Sequence, residues 1–135
     1  MMMGDFITLS QHNLPVKVVV LNNGTLGFVE MEMKAAGFLD TGCDLQNPDF
    51  AATARAMGVK GQRVERPQDL RSALIEAFNH DGPALVDVVS ARQELILPPK
   101  ATLAEATHFS MFMLKAVLDG RAKQIIDLAK VNLTR

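Results

Sequence analysis

The chain contains no tryptophan, no tyrosine and a single cysteine among its 135 residues. One cysteine excludes an internal disulfide and a zinc site built from several cysteines, and it fits a reducing compartment. A formal net charge of −1 offers no basic surplus for nucleic acid. No signal-peptide pattern is visible, and the apolar runs are shorter than the ~20 residues of a membrane-spanning helix. We therefore expect a cytoplasmic protein that does not bind nucleic acid.

Predicted strands alternate with segments of helical periodicity along the first 90 residues. The predicted strands are residues 16–21, 62–65 and 84–90, and the predicted helices are residues 1–12, 25–36, 48–57 and 67–78. Asn47 is the predicted capping residue of the third helix, and Pro48 occupies its first turn. The alternation of strands with helices predicts an α/β fold with a doubly wound, mostly parallel sheet. Because segment 16–21 is apolar at nearly every position, its strand should be covered on both faces.

Pro98 and Pro99 mark a predicted boundary between a domain of residues 1–99 and a helical tail of residues 100–135. Thr102 and Glu105 have the spacing of a capping box at the start of that tail. The first helix has no capping residue before it, and three strands are few for a doubly wound sheet. We therefore expect the chain to be the end of a larger protein.

Two alternatives remain open for the tail. Residues 109–118 are apolar almost all round, which is typical of a core or subunit-interface helix. An amphipathic segment with Lys and Arg follows, and the pair also has the character of a membrane-surface element. The physical chemistry of the sequence favours the first alternative.

The tetrapeptide Asn22-Asn23-Gly24-Thr25 follows the first predicted strand directly. Ligands of parallel sheets bind beyond the carboxyl ends of the strands. Free N–H groups there favour a phosphate, and an Asn amide oxygen suits Mg²⁺. Asn-Gly between apolar runs is also a strong signal for a β-hairpin. The helical spacing after Thr25 favours the ligand site over the hairpin.

Other polar residues carry weaker signals. Glu30 and Glu32 are either catalytic carboxylates or a solvated helix face, and their i, i+2 spacing allows at most one of them to enter a cleft. The three histidines are far apart and lack metal-ligand spacing. Asp5 is expected to be a solvated helix residue, and Cys43 has no histidine partner nearby in the sequence.

Residues 14–28 and 30–34 resemble thiamine-diphosphate enzymes of the pyruvate oxidase group. Within that group the likeness is greatest to the bacterial quinone-dependent pyruvate dehydrogenases, which are peripheral membrane flavoproteins. It extends over nearly the whole chain, including residues 81–88 and the tail 109–135. The tail is the discriminating part, because most relatives lack it.

The resemblance implies a thiamine diphosphate site with Mg²⁺. It assigns the Asn23 side chain and the Thr25 backbone carbonyl as Mg²⁺ ligands. The residues that it places around the cofactor are Asn22, Asn23, Gly24, Thr25, Leu26 and Gly27.

Three further residues acquire roles from the resemblance. Phe28 corresponds to an aromatic residue between the thiazolium ring and the flavin. Val29 corresponds to a residue of the substrate pocket, and Glu32 to an acid near the reacting carbon.

The implied activity is oxidative decarboxylation of pyruvate to acetate and CO₂, with electrons passing through FAD to a membrane quinone. The implied partners are pyruvate, the quinone, phospholipid bound through residues 109–135, and copies of the chain in a homotetramer. The implied location is the inner face of the cell membrane. The alternatives are a non-catalytic interface or membrane-docking module, and a fragment of another thiamine-diphosphate enzyme such as acetolactate synthase.

The chain departs from the family pattern in one large respect. The Gly-Asp-Gly half of the cofactor motif is absent, and Asp5 lies only 18 residues before Asn23, which is too close to replace it. We therefore expect the 135-residue chain alone to be inactive and to bind thiamine diphosphate weakly.

Overall fold

The computed structural model describes residues 3–94 and 103–133. A 3₁₀ turn, Met3–Asp5, leads into the first α-helix. The helices are α1 (Phe6–Gln11), α2 (Gly27–Ala35), α3 (Phe50–Ala56), α4 (Pro67–Phe78), α5 (Leu103–Leu118) and α6 (Ala122–Leu133), and the strands are β1 (Lys17–Asn22), β2 (Lys60–Val64) and β3 (Ala84–Val89). The described residues form two compact units. Unit 1 comprises the residues up to 23 and residues 46–90; unit 2 comprises residues 24–45 and those from 91 onward.

Unit 1 contains a three-stranded sheet in the order β1-β3-β2, and both strand pairs are parallel. Val86 in the central strand is the register partner of Val19 in β1 and of Gln62 in β2. The prediction of a parallel α/β sheet is confirmed.

Helices cover both faces of this sheet. One core joins α4 to the sheet; its buried members are Val64, Ala73, Ala77, Ala84 and Val86. The opposite core joins α1 and α3 to the sheet through Ala54, Val59 and Leu85, with Phe6 and Val18 packed against them. The doubly wound arrangement is therefore confirmed, and β3 is buried on both faces as a central parallel strand should be.

The expectation that β1 is covered on both faces is wrong for one face. Val19 is 45% exposed and Leu21 is 73% exposed. Val19 and Leu21 lie on the same face of the sheet as their register partners in β3. Helix α4 packs on this face, against β3 and β2. β1 lies at the edge of this three-stranded sheet, so its apolar side chains on that face stay accessible.

Several predicted element boundaries shift. Helix α3 is capped by Asp49, whose Oδ1 accepts a hydrogen bond from the Ala52 amide at 2.7 Å, rather than by Asn47. Strand β2 begins at Lys60, two residues before its predicted start. Helix α2 begins at Gly27, because the backbone of Thr25 pairs with Asp44 in an isolated antiparallel bridge. The predicted boundary at residue 99 and the capping residue Thr102 lie outside the described residues.

Unit 2 contains α2, α5 and α6, and α5 packs against both of the others. Phe112 and Ala116 on α5 are completely buried. The same helix exposes several leucines, of which Leu114 is 61% exposed and Leu118 79%. The apolar helix is thus core on one side and accessible surface on the other. In the part of the chain that the structure describes, no helix is long and apolar enough to cross a membrane.

A carboxylate from a distant loop fixes the start of α6. Asp40, with a side chain 2% exposed, accepts a hydrogen bond from Arg121 Nη1 at 3.2 Å and another from the Gln124 side-chain amide. The buried Lys34 Nζ lies 3.5 Å from the same carboxylate. A negative charge at this position also complements the positive end of the helix dipole. Asp40 therefore holds α6 through charge as well as hydrogen bonds.

We expect Gly61→Ala to destabilise unit 1 by about 1–3 kcal/mol, the usual range for overpacking a well-packed site. A Cβ at Gly61 would lie 2.1 Å from the Ala51 carbonyl oxygen, so the α3 backbone has to move. Urea unfolding followed by amide signals of unit 1 measures the change. Gly4→Ala is the control, because a Cβ there meets nothing within 4 Å. Equal stability of the two variants would contradict the prediction.

We expect Asp40→Asn to destabilise unit 2 by about 1–3 kcal/mol, because the amide carries no charge and offers one acceptor oxygen in place of the two that face Lys34, Arg121 and Gln124. The matched control is Asp119→Asn. Asp119 also pairs with Arg121, but its side chain is 48% exposed, and exposed pairs contribute less than about 1 kcal/mol. Urea unfolding, monitored through the amide signals of α6, measures the loss of stability in the two variants. A loss no larger for Asp40→Asn than for Asp119→Asn would refute the anchoring role.

Candidate functional site

The turn that follows β1 has the backbone that the ligand-site hypothesis requires. Asn22 is the last residue of the strand, and its carbonyl accepts a hydrogen bond from the Ser90 amide at 3.0 Å. Gly24 has a φ of +68°, a left-handed conformation that glycine adopts without steric cost. The strand pairs in parallel with β3, and a helix follows the turn, so the hairpin alternative is wrong. The turn lies at the carboxyl end of a parallel strand, where ligands of such sheets bind.

The side chain of Asn22 is fixed from two directions within unit 1. Its Nδ2 donates to Asp87 Oδ1 at 3.2 Å, and its Oδ1 accepts from Asn47 Nδ2 at 2.9 Å. Asp87 is fully buried in β3 and also accepts a hydrogen bond from Arg63 Nη1 at 2.8 Å. Both ends of the Asn22 amide are therefore used to hold the strand end, which suits a residue that shapes the loop.

The Glu65 and Asp87 carboxylates raise the pKa of Arg63. The hydrogen bond to Glu65 is the largest cause. Burial, the second largest, lowers the pKa, and the bond and charge of Asp87 raise it further. Arg63 therefore stays charged, and the buried carboxylate of Asp87 has a permanent cationic partner.

The two predicted Mg²⁺ ligands lie on either side of the division between the units, Asn23 in unit 1 and Thr25 in unit 2. Both would offer neutral oxygen atoms, an amide oxygen and a backbone carbonyl, and hard oxygen donors are what Mg²⁺ prefers. Among residues 3–94 and 103–133, no group of three or more His, Cys, Asp or Glu could hold a metal ion. The donor type thus fits Mg²⁺, while two ligands supply only part of an octahedral shell.

Thr25 is 5% exposed, and its neighbouring peptide groups are hydrogen-bonded within unit 2. The Leu26 amide donates to the Cys43 carbonyl at 2.9 Å, and the Gly24 carbonyl accepts from the Leu45 amide at 3.0 Å. Cys43 itself is buried, with its Sγ 3.8 Å from Met33 Sδ. The segment that carries the predicted ligand is therefore ordered by a short antiparallel pairing.

A buried ion pair lies beside Thr25. Glu30 is 2% exposed; its Oε1 accepts from Lys34 Nζ at 2.5 Å, and its Oε2 accepts from the Thr25 hydroxyl at 2.5 Å. Burial raises the pKa of Glu30, but the hydrogen bonds from Lys34 and Thr25 and the charge of Lys34 together outweigh it. The pKa of Glu30 is held below its usual range, so the carboxylate is ionised at neutral pH.

The three residues with predicted catalytic roles lie on the first turns of α2 and are exposed. Phe28 is 65% exposed and Val29 is 46% exposed. Glu32 is also exposed, whereas Glu30 faces the interior of unit 2. The i, i+2 argument was therefore right that the two glutamates point to different sides.

Helix α2 begins at Gly27, and its capping residue Leu26, 44% exposed, forms no side-chain capping bond. The side chain of Leu26 therefore supplies no acceptor to the first amide groups of the helix. A helix N-terminus of this kind is suited to an anion such as a diphosphate. Both residues are among those that the resemblance places around the cofactor, and their roles there stay predictions.

Sequence analysis missed two of the buried carboxylates. Asp87 could have been found, because one acidic residue interrupts the apolar run of β3, which has to be covered on both faces. Asp40 lies in a polar loop, and no local pattern distinguishes it from an exposed residue. The i, i+4 spacing of Glu30 and Lys34 suggests an ion pair but not its burial.

Residues 1–88 match the protein family described as "Thiamine pyrophosphate enzyme, C-terminal TPP binding domain". The chain is 38% identical over 130 residues to a Bacillus subtilis (strain 168) protein named "Putative thiamine pyrophosphate-containing protein YdaP". That alignment covers 96% of this chain and 22% of the relative.

Acetolactate synthases are also similar. The mitochondrial catalytic subunit from Aspergillus candidus is 36% identical over 73% of this chain and 14% of its own length. The isozyme 2 large subunit from Escherichia coli (strain K12) is 33% identical over 73% of this chain and 19% of its own length. The chain thus spans about a fifth or less of these relatives. The matched family covers more than half of the chain, and the chain belongs to the thiamine pyrophosphate enzymes, as a part of their C-terminal cofactor-binding domain.

Proposed function

We propose that the chain is the part of a thiamine-diphosphate- and FAD-dependent enzyme that carries one half of the cofactor site, and that this enzyme oxidises pyruvate to acetate and CO₂ with a membrane quinone as electron acceptor. The observation that carries the proposal is the Asn22-Asn23-Gly24-Thr25 turn at the carboxyl end of a parallel strand, in a chain of this family. Asn23 and Thr25 would hold Mg²⁺, and Mg²⁺ would hold the diphosphate.

The residues of unit 2 would act on the organic part of the site. When bound, thiamine diphosphate supplies an electron sink for the bond that breaks as CO₂ leaves. Phe28 and Val29 would provide apolar surface for the ring system and for the substrate methyl group, which fits their exposure on the first turn of α2. The exposed Glu32 would exchange a proton near the reacting carbon.

The share of the chain that is matched differs between the relatives, and this difference favours an enzyme other than acetolactate synthase. The alignment with the B. subtilis protein covers 96% of the chain, whereas those with acetolactate synthases cover 70–73%. The alignments with the synthases leave more than a quarter of the chain unmatched. We propose that residues 109–135 belong to this unmatched part and contact phospholipid and the quinone. Homotetramer assembly at the inner face of the cell membrane belongs to the same proposal.

Acetolactate synthase is the second candidate. Several of its representatives, from fungi, plants and bacteria, are 31–37% identical to this chain over about 100 residues. Such an enzyme would share the Mg²⁺ and diphosphate contacts and would use pyruvate without a quinone or the tail.

An antibody raised against the chain tests the proposal by capturing the native polypeptide from its source cells. We expect a mass several times 14.7 kDa, and pyruvate-dependent reduction of a quinone analogue with release of acetate when thiamine diphosphate and Mg²⁺ are supplied. Formation of acetolactate without reduction of the quinone would establish the second candidate. A 14.7 kDa polypeptide with neither activity would refute both.

The Mg²⁺ assignment predicts a loss of activity in the captured enzyme when Asn23→Ala is introduced into its gene. Because even partners outside the ligand shell change metal affinity by 10–100-fold, we expect the Mg²⁺ concentration for half-maximal activity to rise by about 100-fold or more. Asn79→Ala, an exposed asparagine at the end of α4, is the matched control. An unchanged Mg²⁺ requirement for Asn23→Ala would remove Asn23 from the metal site.

The lipid assignment predicts that the chain sediments with anionic phosphatidylglycerol vesicles through the exposed leucines of α5. The double change Leu114→Ser and Leu118→Ser should weaken binding by about tenfold or more, since each buried leucine contributes about 1.5–3 kcal/mol. Leu21→Ser is the control, because Leu21 is as exposed but lies in β1. Equal vesicle binding by the double variant and the control would exclude α5 as the membrane contact.

A further inference from the structure

The two oxygens of the buried Glu30 carboxylate have different partners. Lys34 Nζ donates to Oε1, and Gln93 Nε2 lies 3.4 Å from the same oxygen. The Thr25 hydroxyl donates to Oε2, with Arg92 Nη2 at 3.6 Å from that oxygen. Lys34 therefore neutralises the charge mainly at Oε1, while Oε2 accepts a hydrogen bond from the side chain of a residue five positions earlier in the chain.

The Thr25 hydroxyl has one proton to donate, and more than one acceptor lies within reach. Glu30 Oε2 lies at 2.5 Å and the Cys43 carbonyl at 3.0 Å. Hydrogen bonds to an ionised carboxylate are shorter and about twice as strong as those to a neutral carbonyl. The proton is therefore donated to Glu30, and α2 is tied to the turn that precedes it.

The hydrogen bond from the Thr25 hydroxyl to Glu30 restrains the Thr25 backbone through its side chain. The peptide groups before and after Thr25 are already held by Leu45 and Cys43, at 3.0 and 2.9 Å. The backbone around Thr25 pairs with the segment around Asp44 in a single antiparallel bridge. A pairing this short has little stability of its own. A buried, charge-assisted bond at its centre supplies the additional restraint.

We infer that Glu30 is a positioning residue, which fixes the backbone of Gly24, Thr25 and Leu26 through the Thr25 hydroxyl and is itself oriented by Lys34. The inference rests on the proposed function in one respect, since the Thr25 carbonyl is the group proposed to bind Mg²⁺. The geometric part, that Glu30 orders the Gly24–Leu26 turn, stands on the contacts of unit 2. Glu32, on the same helix but exposed, has no such role.

Amide hydrogen exchange of the 135-residue chain tests the geometric part. In Thr25→Val, which removes the hydroxyl and keeps the branched shape, we expect the Leu26 and Leu45 amides to exchange about tenfold faster or more. Glu30→Gln should accelerate the same two amides, and the Val86 amide in β3 should be unaffected in both variants. Thr25→Ser restores the hydroxyl and should restore slow exchange, which a purely steric effect would not do.

The control for charge removal on α2 is Glu32→Gln, which should leave the Leu26 and Leu45 amides unchanged. Unaltered exchange of these amides in Thr25→Val would overturn the inference. So would acceleration in Thr25→Ser equal to that in Thr25→Val. If Glu30→Gln unfolds unit 2, the comparison of Thr25→Val with Thr25→Ser still tests the inference, because both variants retain the Glu30–Lys34 ion pair.

Paramagnetic Mn²⁺ separates this inference from the proposed function. Mn²⁺ added to the parent chain should broaden the amide signals of residues 23–26, and the same concentration should broaden them less in Thr25→Val. Absence of broadening in the parent chain would count against the Mg²⁺ assignment alone, since the exchange rates of Leu26 and Leu45 decide the positioning role independently.

Discussion

The central strand β3 sets the strictest constraint on unit 1, because it is hydrogen-bonded to a strand on each edge and covered by helices on each face. Its side chains must be apolar unless a polar one finds buried partners. The one exception, Asp87, is fully buried and joins the ends of all three strands by binding Asn22 of β1 and Arg63 of β2. The same contacts that make a carboxylate tolerable in the core also define where β1 ends and where the Asn-Asn turn begins.

Unit 2 is organised around buried charge rather than an apolar core alone. Glu30, Lys34 and Asp40 are almost inaccessible, and each has a partner of opposite charge. Breaking one member of such a group leaves an uncompensated charge, so the cluster acts as a whole. Through it, three separate pieces of chain are linked: the turn at Thr25, the loop at Asp40 and the start of α6 at Arg121. Geometry at a predicted ligand position thus depends on residues up to 96 positions away in the sequence.

Large apolar side chains are exposed in both units of this chain, which spans only part of the length of its relatives. Leu21 at the edge of unit 1 and Phe28 on α2 of unit 2 are accessible, although large apolar side chains usually contribute to cores or interfaces. The chain is about a fifth of the B. subtilis relative. Within the proposed enzyme, the remaining protein, the cofactor and the substrate are the natural partners for these surfaces.

The sequence by itself determined the elements whose signals are local. Apolar runs of six and seven residues identified the first and third strands, and the alternation of strands with helices predicted that the strands are parallel. The family likeness in residues 14–28 was also readable without coordinates, because motif residues are adjacent in the chain. Only the tertiary structure decided which glutamate of α2 is buried, that Asp49 rather than Asn47 caps α3, and that β1 is accessible on one face. Each of these depends on what another segment, distant in sequence, places against the residue: Thr25 and Lys34 around Glu30, and α4 over β2 and β3 but not over the β1 edge.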